Sequence, residues 1–150
     1  MAVLALDLGT TTGFALWTDG AITSGSWDMK PKRYEGSGMR YVRFTGMLND
    51  MHAAVGITYI VFEEVRRHKG ADAAHVYGGF MSHLQAWCEQ RGVPLEAYPV
   101  GAIKKHWTGN GNASKDMMLD EAKRRGFAPE DDNEADALAM LDMAVGGGVL

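Results

Sequence analysis

The chain has 150 residues, 46% of them apolar, and a formal net charge of −4, enough for one compact domain with a core and little else. No apolar run approaches bilayer-spanning length, and the N-terminal run MAVLALDLG has no basic leader. The single cysteine, Cys88, excludes an internal disulfide, no His/Cys spacing suggests zinc, and a soluble protein of a reducing cytosol is expected.

Taken in chain order, residues 2–8 (AVLALDL) read as a buried strand that ends in an acid. Gly9 to Thr12 form a tight turn, and Gly13–Trp17 reads as a second strand. Asp19-Gly20 is a strong hairpin signal, with Ala21–Trp27 returning as a third strand. Residues 28–37 are a polar, basic loop. Met39, Val42, Phe44, Met47, Leu48 and Met51 approximate helical spacing, closed by Gly56. Ile57–Phe62 is a β-branched and aromatic strand that runs into Glu63. A helix over about Ala71–Arg91 follows a basic loop and stops at Gly92 and Pro94. Leu95–Tyr98 is a fifth strand, and Val100–Trp107 a short helix. Ser114 caps a helix to Arg125. A last helix opens near Pro129 and Asp131 or Asp132 and frays into Gly146-Gly147-Gly148.

The order β-β-β-α-β-α-β-α-α-α predicts an α/β fold. It resembles the ribonuclease H-like plan, a mixed five-stranded sheet flanked by α-helices, in a single domain over 1–150 with no internal repeat or linker.

Asp7 and Glu63 end apolar strands, and Asp136 lies near the start of the last helix with Asp132 one turn earlier. Such positions can converge at one edge of a sheet. Carboxylates without His or Cys suit hard cations such as Mg²⁺. Two ions about 4 Å apart can drive phosphodiester hydrolysis. Ordinary roles compete: a turn at Asp7, a solvated strand end at Glu63 or Glu64, and helix-start acids at Asp131 and Asp132. A buried strand rarely carries an idle Asp, and Asp136 is embedded among Ala135, Ala137, Leu138 and Ala139.

The net charge runs against nucleic-acid binding, but the cations are clustered. They lie at Lys30-Pro31-Lys32-Arg33 with Arg40 and Arg43, at Arg66-Arg67-His68-Lys69, at Lys104-Lys105-His106, and at Lys123-Arg124-Arg125. Acids concentrate between Glu130 and Asp136. Two bound divalent ions would offset the deficit.

Four segments, in order, resemble the RuvC family of Holliday junction resolvases. Asp7-Leu8-Gly9 with Thr12-Gly13 is similar to its first motif, and Phe62-Glu63-Glu64-Val65 to its second. Gly109-Asn110-Gly111-Asn112-Ala113-Ser114-Lys115 resembles its Gly-x-Gly-x-Ala-x-Lys segment. Glu134-Ala135-Asp136-Ala137-Leu138-Ala139 resembles its closing helix. The resemblance implies an Mg²⁺-dependent endodeoxyribonuclease that cuts four-way junctions, and also forks and flaps, with Mn²⁺ as a substitute. Asp7, Glu63 and Asp136 are then catalytic metal ligands for two ions, and Lys115 a phosphate contact. The family's fourth acid stands three residues before the last Asp, where this chain has Asn133. Asp132, which shares a helix face with Asp136, is taken instead.

Where bacterial members carry an aromatic wedge after the Glu, this chain has Arg66, and an arginine can stack on bases or hold phosphates. Arg66, Arg67, Lys69, Lys104, Lys105 and Asn112 complete the expected DNA contacts, with His106 and Trp107 as further candidates. The resemblance also implies a homodimer paired through the helix from Ala71. Its stripe of Ala74, Val76, Tyr77, Phe80, Met81, Leu84 and Trp87 equally suits an internal core. A phage-encoded protein working in the bacterial host cytoplasm fits the phage-type pattern.

Two readings compete. Asp7 to Gly13 also resembles the first phosphate loop of the sugar kinase and actin superfamily, which would make the turn an ATP cradle. Alternatively, an RNase H-like scaffold could bind DNA and be catalytically silent. Divalent-metal binding separates that reading from the nuclease, and substrate preference separates DNA cutting from cleavage of RNA in hybrids.

Overall fold

The first three strands are β1 (Ala2–Asp7), β2 (Thr11–Thr18) and β3 (Ala21–Asp28), an antiparallel meander. The β2–β3 turn is the expected hairpin: Asp19 (φ 49°) and Gly20 (φ 90°) both take positive φ, as a type I′ turn requires. β4 (Tyr59–Glu64) joins β1 in parallel, and β5 (Leu95–Pro99) joins β4 in parallel. The five-stranded sheet has the order β3-β2-β1-β4-β5. A computed structural model describes residues 1–146 of the chain.

Side-chain alternation divides the interior into two cores. Leu4, Leu6, Ile60 and Phe62 face α1 (Met39–Val55) and α2 (Ala71–Arg91), where they pack with Phe44, Leu48, Phe80, Leu84 and Trp87. Val3, Ala5 and Val61 point the other way. They meet Ala135, Leu138 and Ala139 of α5 (Asp132–Ala144), with Ile103 and Trp107 of α3 (Val100–Thr108) and Met118 of α4 (Lys115–Arg124). Burial on both faces explains why β1 reads as an uninterrupted apolar run rather than an alternating one.

The boundaries differ from expectation in a few places. β2 starts at Thr11, not Gly13, because Thr11 pairs with Asp28 and Thr12 is fully buried beside the turn. β4 starts at Tyr59, not Ile57, since Thr58 leaves the ladder to exchange side-chain hydrogen bonds with the Ala2 backbone at 3.0 Å. α5 ends at Ala144, and the expected fraying through Gly147 and Gly148 lies outside the described residues. Four residues of the α2 stripe, Tyr77, Phe80, Leu84 and Trp87, are buried against the sheet and α1, while Ala74, Val76 and Met81 are half-buried.

β1, β3, β4 and β5 all point the same way, so their carboxyl ends share one edge of the sheet. Asp7, the basic loop after β3, Glu63 and the start of α3 therefore lie along that edge.

Candidate metal centre

Strand parity aims two of the acids. Asp7 continues the Val3, Ala5 series of β1, and Glu63 continues the Tyr59, Val61 series of β4, so both project onto the face that α5 covers. Glu64 takes the other parity and pairs with Arg66 at 3.2 Å. Asp136 comes from the first turns of α5. Ligand oxygens of Asp7, Glu63 and Asp136 all lie within 4.8 Å of one another.

The approach of α5 depends on Gly13, which pairs with Asp7 across the β1–β2 ladder. A Cβ at Gly13 would overlap the backbone carbonyl of Asn133, so only glycine lets the helix start this close to the sheet. Thr12 folds the preceding turn, its hydroxyl donating to the Gly9 carbonyl at 2.6 Å. That hydroxyl is spent within the turn, and Gly13 is covered by the start of α5. The start of α5 is pinned to β3. Ser26 Oγ donates to the Asp131 carboxylate at 2.7 Å, and Ser24 Oγ to Glu134 Oε2 at 2.8 Å. Asp131 also caps the helix by accepting from the Glu134 N–H at 2.9 Å.

Glu63 is steadied from behind. The Tyr77 hydroxyl donates to the Glu63 carbonyl at 2.7 Å and accepts from the Val65 N–H at 3.1 Å, so it supplies main-chain partners where β4 ends.

The electrostatics are those of acids crowded out of water. Burial, followed by the charges of Glu63 and Asp136, holds the Asp7 carboxyl well above its usual range. Burial and then the charge of Glu63 push Asp136 up to about 7. Burial raises Glu63 as well, opposed by its hydrogen bond with Asp7 and by the charge of Lys104. Three carboxylates without imidazole or thiolate suit a hard divalent cation, and a divalent charge would relieve their repulsion. The donor set fits such a metal.

Asp132 stands outside this set of three. Its Oδ2 lies 3.7 Å from Lys115 Nζ, although its charge is felt at both Glu63 and Asp136. Lys115 itself is 83% exposed. Arg66, Arg67, Lys69, Lys105 and Asn112 are exposed, and Lys104 is half-buried beside the acids. A groove of about 500 Å³ runs between Val65, Arg66, Arg67 and Pro99.

Two candidate DNA contacts serve elsewhere. Trp107 is buried, donates to the Met118 carbonyl at 3.2 Å and carries the Arg125 guanidinium on its ring at 3.8 Å. His106 Nε2 lies 2.6 Å from Oδ2 of Asp142, which is 1% exposed. Arg125 also reaches Asp142, at 3.4 Å, and Glu121, at 2.7 Å, so this network locks α3 and α4 to α5. Sequence reading missed Asp142, Tyr77 as a polar group, and Ser24 and Ser26. The one local signal lies on the partners of the two serines, where the Asp131-x-x-Glu134 spacing is a capping pattern.

No protein-family model matches the chain. It is 46% identical over 69 residues to the crossover junction endodeoxyribonuclease RuvC of Anaeromyxobacter sp. (strain K), a match covering 45% of this chain and 37% of that relative. Among solved structures it is similar to Thermus thermophilus RuvC in complex with a Holliday junction substrate. The TM-score there is 0.76 at 21% identity, over 93% of this chain and 89% of the other. The yeast mitochondrial Holliday junction resolvase gives a TM-score of 0.62 at 14% identity, over 91% and 74%. The chain therefore shares the fold of these structures, a mixed five-stranded sheet flanked by α-helices of the RNase H-like type.

Proposed function

We propose that this chain is a single RuvC-like nuclease domain that nicks branched DNA, four-way junctions first, by divalent-metal-dependent phosphodiester hydrolysis. The convergence of Asp7, Glu63 and Asp136 at the carboxyl edge of a RuvC-type sheet carries this reading. The likeness in sequence to a crossover junction endodeoxyribonuclease supports it.

In this reading Asp7, Glu63 and Asp136 hold Mg²⁺, or Mn²⁺ in its place, and Asp132 completes the holding of a second ion. When bound, such ions supply a Lewis acid for the phosphate and an acidified water. The residues contribute the rest. The acids sit partly out of water, where their charge acts strongly on a bound cation. Lys104 and Lys115 face the phosphate, and Lys115 exchanges its contact with Asp132 for one with DNA. Arg66, Arg67, Lys69, Lys105 and Asn112 hold the flanking backbone. The products are 5′-phosphate and 3′-hydroxyl ends. A homodimer supplies two centres for paired nicks. The cell setting we assign is a bacterial host cytoplasm, with the chain phage-encoded; free, buried Cys88 is compatible with reducing conditions.

The test is cleavage of a labelled synthetic four-way junction, with linear duplex, fork and RNA–DNA hybrid controls, in Mg²⁺ and in EDTA. Paired nicks in Mg²⁺ alone are expected. Cutting of forks and flaps at similar rates would widen the substrate to branched DNA in general. A folded protein that binds junctions and cuts nothing would overturn the enzyme in favour of a silent scaffold.

A further inference from the structure

One strongly charged surface has no part in the centre described above. The loop between β3 and α1 carries Lys30, Lys32 and Arg33, all exposed, and Tyr34 at its tip, 89% exposed. None of the three cations forms an ion pair among the described residues. The loop's own acid, Glu35, is turned inward. It takes the Lys32 N–H at 2.6 Å and both ends of its carboxylate meet the Arg43 guanidinium, one oxygen at 2.6 Å. Buried Met29 anchors the start of the loop, and its N–H donates to the Thr10 carbonyl at 2.7 Å, on the turn that follows Asp7. The Lys30 N–H is held by Asp28 at 2.9 Å, and the Arg33 guanidinium lies 5.4 Å from the centre of the Tyr34 ring. The backbone is thus fixed from within, and the cationic heads and the ring are left for something outside.

Position says what that is. β3 lies two strands from β1, roughly 10 Å at the usual strand spacing, on the opposite side from β4 and β5. Cations therefore flank the acids on both sides: Lys30, Lys32 and Arg33 beyond β2, and Arg66, Arg67, Lys69 and Lys104 beyond β4. A polyanion that crosses the three carboxylates needs cations on both sides to offset their repulsion. We infer that the β3–α1 loop is a second DNA-holding surface, gripping backbone phosphates roughly three nucleotides from the cut at 3.4 Å each, with Tyr34 stacking on a base exposed at the branch. The inference rests on the nuclease reading and assigns that site a further contact surface.

The experiment measures anisotropy of a labelled four-way junction and of a linear duplex against salt, in Mg²⁺. The parent is the Glu63→Gln variant, so that binding is read without cutting. Replacing Lys30, Lys32 and Arg33 together by Gln should weaken junction binding at least tenfold and lower the slope of log affinity against log salt by about 2 to 3. Tyr34→Ala should weaken junction binding about tenfold while leaving the duplex unchanged. The melting temperature should stay at the parent value in both, since the replaced side chains are exposed. Unchanged affinity and slope in the triple variant, beside a clear loss in an Arg66→Gln, Arg67→Gln control, would overturn the inference and leave the nuclease reading intact. A parent that binds neither DNA would overturn both.

Discussion

At the scale of single residues, the centre is a place where the fold is held against the charge of its own acids. Asp7, Glu63 and Asp136 all have raised carboxyl pKa values, Asp136 reaching about 7 from an ordinary 3.8. A group that binds its proton more tightly folded than unfolded adds stability below its unfolded pKa and loses it as pH rises through the folded one. In EDTA the melting temperature should therefore fall between about pH 4 and pH 7 through Asp136, with Asp7 and Glu63 acting in the same direction. Mg²⁺ should restore more stability at pH 8 than at pH 5, and thermal melts at both pH values check this. Asp7→Asn should flatten that pH dependence and raise the EDTA melting temperature at pH 8, while cutting junction cleavage by more than the roughly 100-fold that loss of an outer-shell partner costs. Tyr77→Phe tests the bracing of Glu63. Cleavage should drop about 10- to 100-fold and the Mg²⁺ requirement rise, with junction affinity unchanged; an unaltered Mg²⁺ titration would count against it.

At the scale of elements, the site depends on how closely α5 meets the sheet. Gly13→Ala places a methyl group in the Asn133 carbonyl, so α5 must retreat or β2 must bend. A loss of about 1–3 kcal/mol or more in denaturant unfolding is expected, together with weaker Mg²⁺ binding. Removing both serine anchors, Ser24→Ala with Ser26→Ala, should cost about 1 kcal/mol each. At the other end of α5, Asp142→Ala takes the partner of His106 and one of several partners of Arg125, which keeps Glu121 and the Trp107 carbonyl, and a loss of about 1–3 kcal/mol is expected. These element contacts are where sequence reading ran out. Strands and helices were legible because each carries its own period and its own stop, such as Asp19-Gly20, Gly56 and Gly92. Ser24, Ser26 and Asp142 act across more than thirty residues of chain, through partners that no local pattern names.

Across the whole molecule, the three converging acids were legible for a different reason. A carboxylate inside an apolar strand or helix conflicts with its surroundings, and the fold resolves the conflict by bringing three such conflicts together. Asp132 shows the limit. Sharing a helix face with Asp136 placed it nearby, where its charge reaches Glu63 and Asp136, while its carboxylate lies 3.7 Å from Lys115. The apolar stripe of α2 shows another limit, since periodicity gives a buried face without saying what buries it, and here the chain's own sheet does so. The outer side of α2 stays open to the proposed dimer, with Ala74, Val76 and Met81 only partly buried, and sedimentation should show a species of twice the 16.3 kDa chain mass; a monomer that still made paired nicks would remove the need for it.

The most direct measurement compares the wild type with Asp7→Asn, Glu63→Gln and Asp136→Asn, each shown to be folded by its melting curve, on one labelled four-way junction in Mg²⁺. Metal-dependent nicking by the wild type and near-complete loss in all three variants, with junction binding retained, is the predicted result. Near wild-type nicking by any of the three would contradict a shared metal centre.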